Sequence, residues 1–138
     1  VTAIDQFGNQ MGITATGVAS VSLDPPLLLL CVSNRSWMVA PLVAGGSFVV
    51  HFLAAEQEEL ARRFASSSTD KFEGVAHRLT RTGCPRLDGC LATLHCEFQA
   101  AHPGGDHTVV VGRVIQVQLG PRDGPSLAFF GGRLMPVG

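Results

Sequence analysis

Charge is scarce in this sequence: Asp, Glu, Lys and Arg make up 15% of 138 residues, where soluble domains average about 25%. Ten Lys plus Arg stand against eleven Asp plus Glu. That balance leaves no basic footprint for nucleic acid or for an anionic membrane. A charge-poor surface is also the kind a second subunit covers, so an oligomer is expected. Long hydrophobic runs are missing too: the apolar stretch Pro25–Val32 falls well short of the roughly 20 residues a membrane-spanning helix needs. Disorder is excluded from the other side, because 46% of the residues are hydrophobic and one domain of this size can bury a real core.

Cysteine chemistry is thin. Cys31, Cys84, Cys90 and Cys96 show no C-x-x-C spacing, and Cys31 lies inside an apolar strand pattern. A reduced, cytoplasmic setting fits them better than a disulfide framework. Zinc on Cys84, Cys90 and Cys96 with His95 or His107 is the rival, but the spacings match no common zinc motif, so no metal is expected. The sequence also lacks a P-loop, G-x-S-x-G, H-E-x-x-H and G-x-G-x-x-G, which removes support for nucleotide chemistry on a Rossmann fold. It opens at Val1 without a signal-peptide pattern. Thr2-Ala3-Ile4 reads as a strand end, so one domain over 1–138 with further residues upstream is expected.

Strand signals dominate what is present. Asp5–Asn9 is turn chemistry joining Val1–Ile4 to the Thr/Val-rich stretch Met11–Ser22. Asp24-Pro25-Pro26 is expected to stop any ladder, since proline cannot donate. Leu27–Val32 reads as a strand covered on both faces. A short helix over Trp37–Ala44, with Trp37 packed beneath it, is closed by Gly45-Gly46. Ser47–Leu53 returns to β. Glu56–Ala65 is the best helix, with acids first, bases last, and Glu58/Arg62 and Glu59/Arg63 spaced as ion pairs. Cys90–Ala100 alternates apolar and polar, leaving one wet face. Thr108–Leu119 is the second long strand, joined to it by a loop at Pro103–Asp106. A turn at Pro121–Pro125 precedes a last strand, Leu127–Phe130. About seven strands and two short helices predict a mainly β, antiparallel barrel.

Small hydroxyl and glycine positions cluster at strand ends: Gly12, Thr14, Thr16, Gly17, Ser20 and Ser22. Small residues let backbone approach a flat ligand, and hydroxyls with amides can hold phosphate oxygens. In order, Gly12-Ile13-Thr14-Ala15-Thr16, Ser20-Val21-Ser22-Leu23-Asp24-Pro25-Pro26-Leu27, Asn34-Arg35-Ser36, Leu60–Ala65, Asp70–Gly74, Gly105-Asp106-His107-Thr108 and Phe130–Arg133 resemble the signature of the flavin reductase-like family, over nearly the whole chain.

The resemblance implies an FMN-binding split β-barrel, a homodimer, and the reductase component of a two-component flavin-dependent monooxygenase. Such a protein reduces FMN or FAD with NADH or NADPH and passes the reduced flavin to its partner. Carried over by position, Gly12, Ile13, Thr14, Ala15, Thr16 and Gly17 would line the isoalloxazine, continued by Cys31, Val32 and Ser33. Arg35 and Ser36 would hold the ribityl phosphate, with Arg63 and Phe64 closing the pocket and Lys71 a further phosphate candidate. His107 would serve as the catalytic residue by orienting the nicotinamide, beside Phe130, Gly131, Gly132 and Arg133. The sequence departs from the family at Leu134, where an aromatic residue is common, and it contains no tyrosine. That departure favours the alternative of a flavin-bearing electron carrier; a non-catalytic FMN-binding module is a further alternative. His51 stands where relatives commonly carry Asn.

Overall fold

Short runs of β-branched and leucine residues, cut apart by glycine and proline, form eleven strands among the described residues. The structure is a computed structural model describing residues 1–121 and 123–138. The strands are β1 (Thr2–Ile4), β2 (Gln10–Gly12), β3 (Val18–Leu23), β4 (Pro26–Ser33), β5 (Ser47–Phe52), β6 (His77–Leu79), β7 (Pro85–Leu87), β8 (Ala92–Gly104), β9 (His107–Leu119), β10 (Ser126–Phe130) and β11 (Arg133–Val137). The helices are α1 (Val39–Val43) and α2 (Glu58–Ala65), the latter entered through a 3₁₀ turn at Ala55–Gln57. Seven strands make one antiparallel sheet in the order β2-β1-β5-β8-β9-β4-β3, and β6-β7 and β10-β11 are separate hairpins. The predicted mainly β, antiparallel architecture with two short helices is what forms.

The connection between the edge strands bends this sheet. Flat, seven strands would hold β2 and β3 about 29 Å apart, at ~4.8 Å per neighbour. Residues 13–17 join those two edges, and the chain from Gly12 to Val18 reaches at most about 21 Å. The sheet therefore curls around one interior. Ala3, Leu28, Leu30, Phe48, Val50, Cys96 and Val110 meet Met38 and Leu42 there, and Met11 and Val18 from the two edges pack on the same cluster. Each large side chain so buried contributes roughly 1.5–3 kcal/mol.

Several expectations need correction. Met11–Ser22 divides into β2, a loop and β3, because Gly12 and Gly17 carry no side chain to continue an alternation. Pro26 does not stop the ladder but opens β4, paired with Leu23, a strand-start position where its missing donor is tolerated. Leu27–Val32 is not covered on both faces: Leu28, Leu30 and Val32 are buried while Leu27, Leu29 and Cys31 stay half-exposed. Trp37 does not pack under α1 but is 87% exposed, and the helix begins only at Val39. Glu58–Arg62 forms at 2.6 Å, whereas Glu59 and Arg63 are not among the ion pairs of the described residues.

The long hairpin also exceeds its predicted length. β8 runs on to Gly104 and β9 starts at His107, leaving Gly105-Asp106 as the turn. Pro103 is accommodated because β5 pairs only with Ala92–Glu97, so the far end of β8 has one free edge. The wet face of β8 is partly dry: Thr93 is buried, because β6 and β7, which carry no alternation long enough to read, lie over this side of the sheet. The expected turn at Pro121–Pro125 includes Arg122, which lies outside the described residues.

His51 on β5 ties that cover to the sheet. Its Nε2 accepts the Leu87 amide at 3.0 Å, so the ring is neutral with its proton on Nδ1, which is buried without a partner. Burial, reinforced by nearby positive charge, holds its pKa well below the ordinary value of 6.5. A base whose pKa is depressed on folding binds fewer protons than in the unfolded chain. Stability is then complete above the unfolded value and falls as pH drops below it. We expect the melting temperature to decline between about pH 7 and pH 5, and His51→Asn to flatten that decline. A variant with the same pH profile as the parent would remove His51 from the account.

Candidate functional site

Loop 13–17 forms one wall of a cleft of about 370 Å³, facing α2, the end of β5 and the β10-β11 hairpin. Three contacts set the loop. Gly12 lies against the Phe64 ring so closely that a Cβ there would come within 2.3 Å of Phe64 Cε1. Thr14 donates its hydroxyl to the Ala61 carbonyl at 2.6 Å, tying the loop to α2. At the far end the Gly17 carbonyl accepts the Cys31 amide at 2.8 Å, and a Cβ on Gly17 would meet Cys31 Cβ at 3.0 Å.

Lys71 fastens the near end. Its ammonium donates to the Gly12 carbonyl at 3.0 Å and the Phe64 carbonyl at 2.9 Å, and burial lowers its pKa from the usual lysine value. Phe64 stacks edge-on against Phe72, with centroids 5.1 Å apart. Together these groups clamp the start of the loop to the end of α2.

The cleft gathers Ile13, Thr14, Ala15, Thr16 and Phe64 of the residues singled out in the sequence. It adds Phe52, Leu60, Ala61, Phe129 and Leu134, which make the wall largely apolar. Leu60 and Ala61 belong to the stretch Leu60–Ala65 that carries the family resemblance, and Leu134 is a departure from the family pattern. Phe52 and Phe129 read as ordinary strand residues. Thr16 is exposed and its hydroxyl is unused by the described residues.

A second group gathers where β4 meets β9. Ser33 pairs with His107, and Asn34 bridges the hairpin turn, taking the Thr108 hydroxyl on its side-chain oxygen at 2.7 Å. Ser33 and Ser36 each accept a nearby backbone amide on the side-chain oxygen, leaving both hydroxyl protons to donate. Arg35 is exposed and Arg63 half-buried, and neither has a carboxylate within 4.0 Å among the described residues. His107 Nδ1 lies 2.7 Å from Asp106 Oδ1, and that bond holds the Asp106 carboxyl below its usual range. The Val32 side chain is buried in the core and offers a ligand only its backbone. Gly131-Gly132 is the two-residue turn of β10-β11, both at positive φ (58° and 78°), as a hairpin of this kind requires. Phe130 and Arg133 pair beside that turn without lining the cleft; their neighbours Phe129 and Leu134 do.

An apolar slot walled by a backbone loop suits a flat aromatic ring, and Arg63 on α2, one of the walling elements, has the chemistry to meet a phosphate tail. The fold and this site define a small, mainly β protein with a cleft for a flat ring. The family model described as flavin reductase like domain matches residues 1–138. A Pseudomonas putida flavin reductase is 34% identical over 132 residues, 96% of this chain and 78% of that protein. The reductase component of 4-hydroxyphenylacetate 3-monooxygenase from Thermus thermophilus is 41% identical, covering 88% of this chain and 75% of its own. The Streptomyces globisporus NADH:FAD oxidoreductase, solved with NAD and FAD fragments, superposes with a TM-score of 0.88 at 38% identity, covering 96% of this chain and 79% of that one. A probable flavin reductase of Rhizobium meliloti is longer, and the chain spans 37% of it. The chain belongs to the flavin reductase like family.

The contact between Gly12 and Phe64 yields a paired prediction. Gly12→Ala drives a methyl group into the ring and should destabilise the protein by about 1–3 kcal/mol. Adding Phe64→Leu should recover a large part of that loss, because the smaller side chain vacates the contested volume. Chemical denaturation of the two single variants and the double measures the coupling, and strict additivity would show the contact to be unimportant.

Proposed function

We propose that this chain carries a hydride from NADH or NADPH to FMN or FAD held along loop 13–17, and supplies the reduced flavin to a partner monooxygenase in the cytoplasm. The observation that carries this reading is the cleft itself: a clamped backbone loop on one side and largely apolar side chains on the other. The flavin, when bound, supplies the hydride-accepting chemistry. The protein positions and polarises. Backbone along Ile13–Gly17 and the Thr16 hydroxyl line the ring edge, where a donor stabilises developing negative charge. Cys31 and Ser33 extend that wall along β4. In this reading Arg35 with Ser36, and Arg63 beside Phe64, hold the phosphate oxygens. Lys71 holds the loop through the Gly12 and Phe64 carbonyls, a positioning role in place of a phosphate contact.

His107 orients the nicotinamide in this reading. Its Nδ1–H donates to Asp106, which leaves Nε2 as an acceptor for a carboxamide N–H. In the same reading Phe130, Gly131, Gly132 and Arg133 of the β10-β11 hairpin also meet the nicotinamide. NADH as the reductant is supported by the NADH:FAD oxidoreductase relative, and delivery to an oxygenase by the monooxygenase reductase component.

The test is anaerobic mixing of flavin-loaded protein with NADH and with NADPH, following the flavin absorbance. Bleaching by a nicotinamide establishes the reductase; bleaching by dithionite alone establishes the binding module or the carrier, the latter being the reading Leu134 in the cleft wall favours. His107→Ala should lower kcat/KM for the nicotinamide by roughly 1–2 kcal/mol in free-energy terms while flavin affinity holds within about twofold. Unchanged reduction kinetics would make His107 a bystander.

Arg35→Ala should weaken FMN binding by about tenfold and leave riboflavin, which lacks the phosphate, nearly unaffected. Equal losses for both would place Arg35 outside the phosphate site.

A homodimer completes the proposal. Leu27 and Leu29 on the outer face of β4 remain half-exposed, with Leu23 at 95% and Trp37 at 87% exposure nearby in sequence. These are surfaces a second copy would dry. Sedimentation at micromolar concentration should return a dimer, and a monomer that still binds flavin tightly overturns it.

A further inference from the structure

A second cleft, of about 350 Å³, lies between the β6-β7 hairpin and the outer face of β5, β8 and β9. It shares no lining residue with the cleft along loop 13–17. Its wall carries Arg78, Arg81, Arg86 and His95 and no carboxylate. The arginines are arranged in an unfavourable way for an empty surface. Arg78 and Arg86 are direct cross-strand partners in the β6-β7 register, so their Cβ atoms lie about 4.5–5.5 Å apart and their charges repel. Relief is slight. The nearest carboxylate to Arg78 is Asp88, at 3.7 Å from Nε, beyond hydrogen-bond distance. Arg86 donates to Gln118 Oε1, a neutral acceptor. His95 adds a buried Nε2 with no partner. The cleft thus collects guanidinium donors and, among its lining residues, holds no carboxylate to neutralise them. Leu79 and Ile115, 61% and 43% exposed, add apolar surface at its edge.

We propose that this cleft is a second binding site, for the pyrophosphate group of a nucleotide, separate from the flavin site. Two facing guanidinium forks match the oxygens of two linked phosphates better than a single carboxylate does. The like-charge pair becomes favourable once a polyanion lies between its members. Leu79 and Ile115 provide a surface on which an attached nucleoside can rest.

Calorimetric titration of the FMN-saturated protein with magnesium-free pyrophosphate, and separately with ADP, tests this. Saturating FMN occupies the phosphate end of the flavin cleft, and dependence on Arg78 and Arg86 separates this cleft from the nicotinamide approach at His107. Binding is expected with either probe, and Arg78→Gln and Arg86→Gln should each weaken it by about tenfold. ADP binding more tightly than pyrophosphate assigns a nucleotide as the ligand; equal binding assigns the pyrophosphate group alone. Melting temperatures guard against misfolding. In anion-free buffer Arg78→Gln should melt no lower than the parent, because the repulsion is gone, while pyrophosphate should raise the parent's melting temperature and not the variant's. Absence of binding at about 10 mM probe, binding indifferent to both substitutions, or displacement by FMN would each overturn the proposal.

Discussion

Five residues join the edges of a seven-stranded sheet, and because they cannot span a flat one, the sheet must curl. Four of those five residues, Ile13 to Thr16, form a wall of the candidate flavin cleft. Closure and binding surface are thus one structural element, and whatever holds loop 13–17 holds both. Four contacts do so: Gly12 on the Phe64 ring, Lys71 on two carbonyls, Thr14 on Ala61, and Gly17 on Cys31. Three of them lead to α2, which explains why an eight-residue helix matters to a protein made otherwise of strands.

This coupling divides the labour among the polar groups. Thr14 and Lys71 have their hydrogen bonds committed to the protein's own backbone, so they shape the site. Thr16, Arg35, Arg63 and the hydroxyl protons of Ser33 and Ser36 are uncommitted among the described residues and are the groups available to a ligand. His107 sits between these classes: one nitrogen is engaged by Asp106, which fixes the ring and leaves the other nitrogen for recognition.

The outer side of the sheet has its own logic. The β6-β7 hairpin covers Thr93 and His51, and His51 fastens it through the Leu87 amide. That bond needs a neutral ring, so the cover is most secure where histidine is uncharged. The hairpin also brings Arg78 opposite Arg86, an arrangement that a purely structural cover has no reason to adopt.

Local pattern alone was enough for the long strands, because alternation over ten or more residues and an amphipathic helix with ordered charges are encoded by neighbours in sequence. The order of the glycine, serine and arginine motifs was likewise legible, and it pointed to the flavin reductase like family. Three-residue strands such as β6 and β7 were not legible, since their pairing is decided by the sheet they lie on. Trp37 looked like a core residue by composition yet stands in solvent. Lys71 looked like a phosphate ligand by charge, but lies within reach of two carbonyls only because Phe64 and Gly12 meet in space. The sequence by itself determined which segments become strands and which family the chain resembles. Which polar groups are consumed by the fold and which remain free for chemistry was decided by contacts between residues distant in the chain, where burial and close approach outweigh local preference.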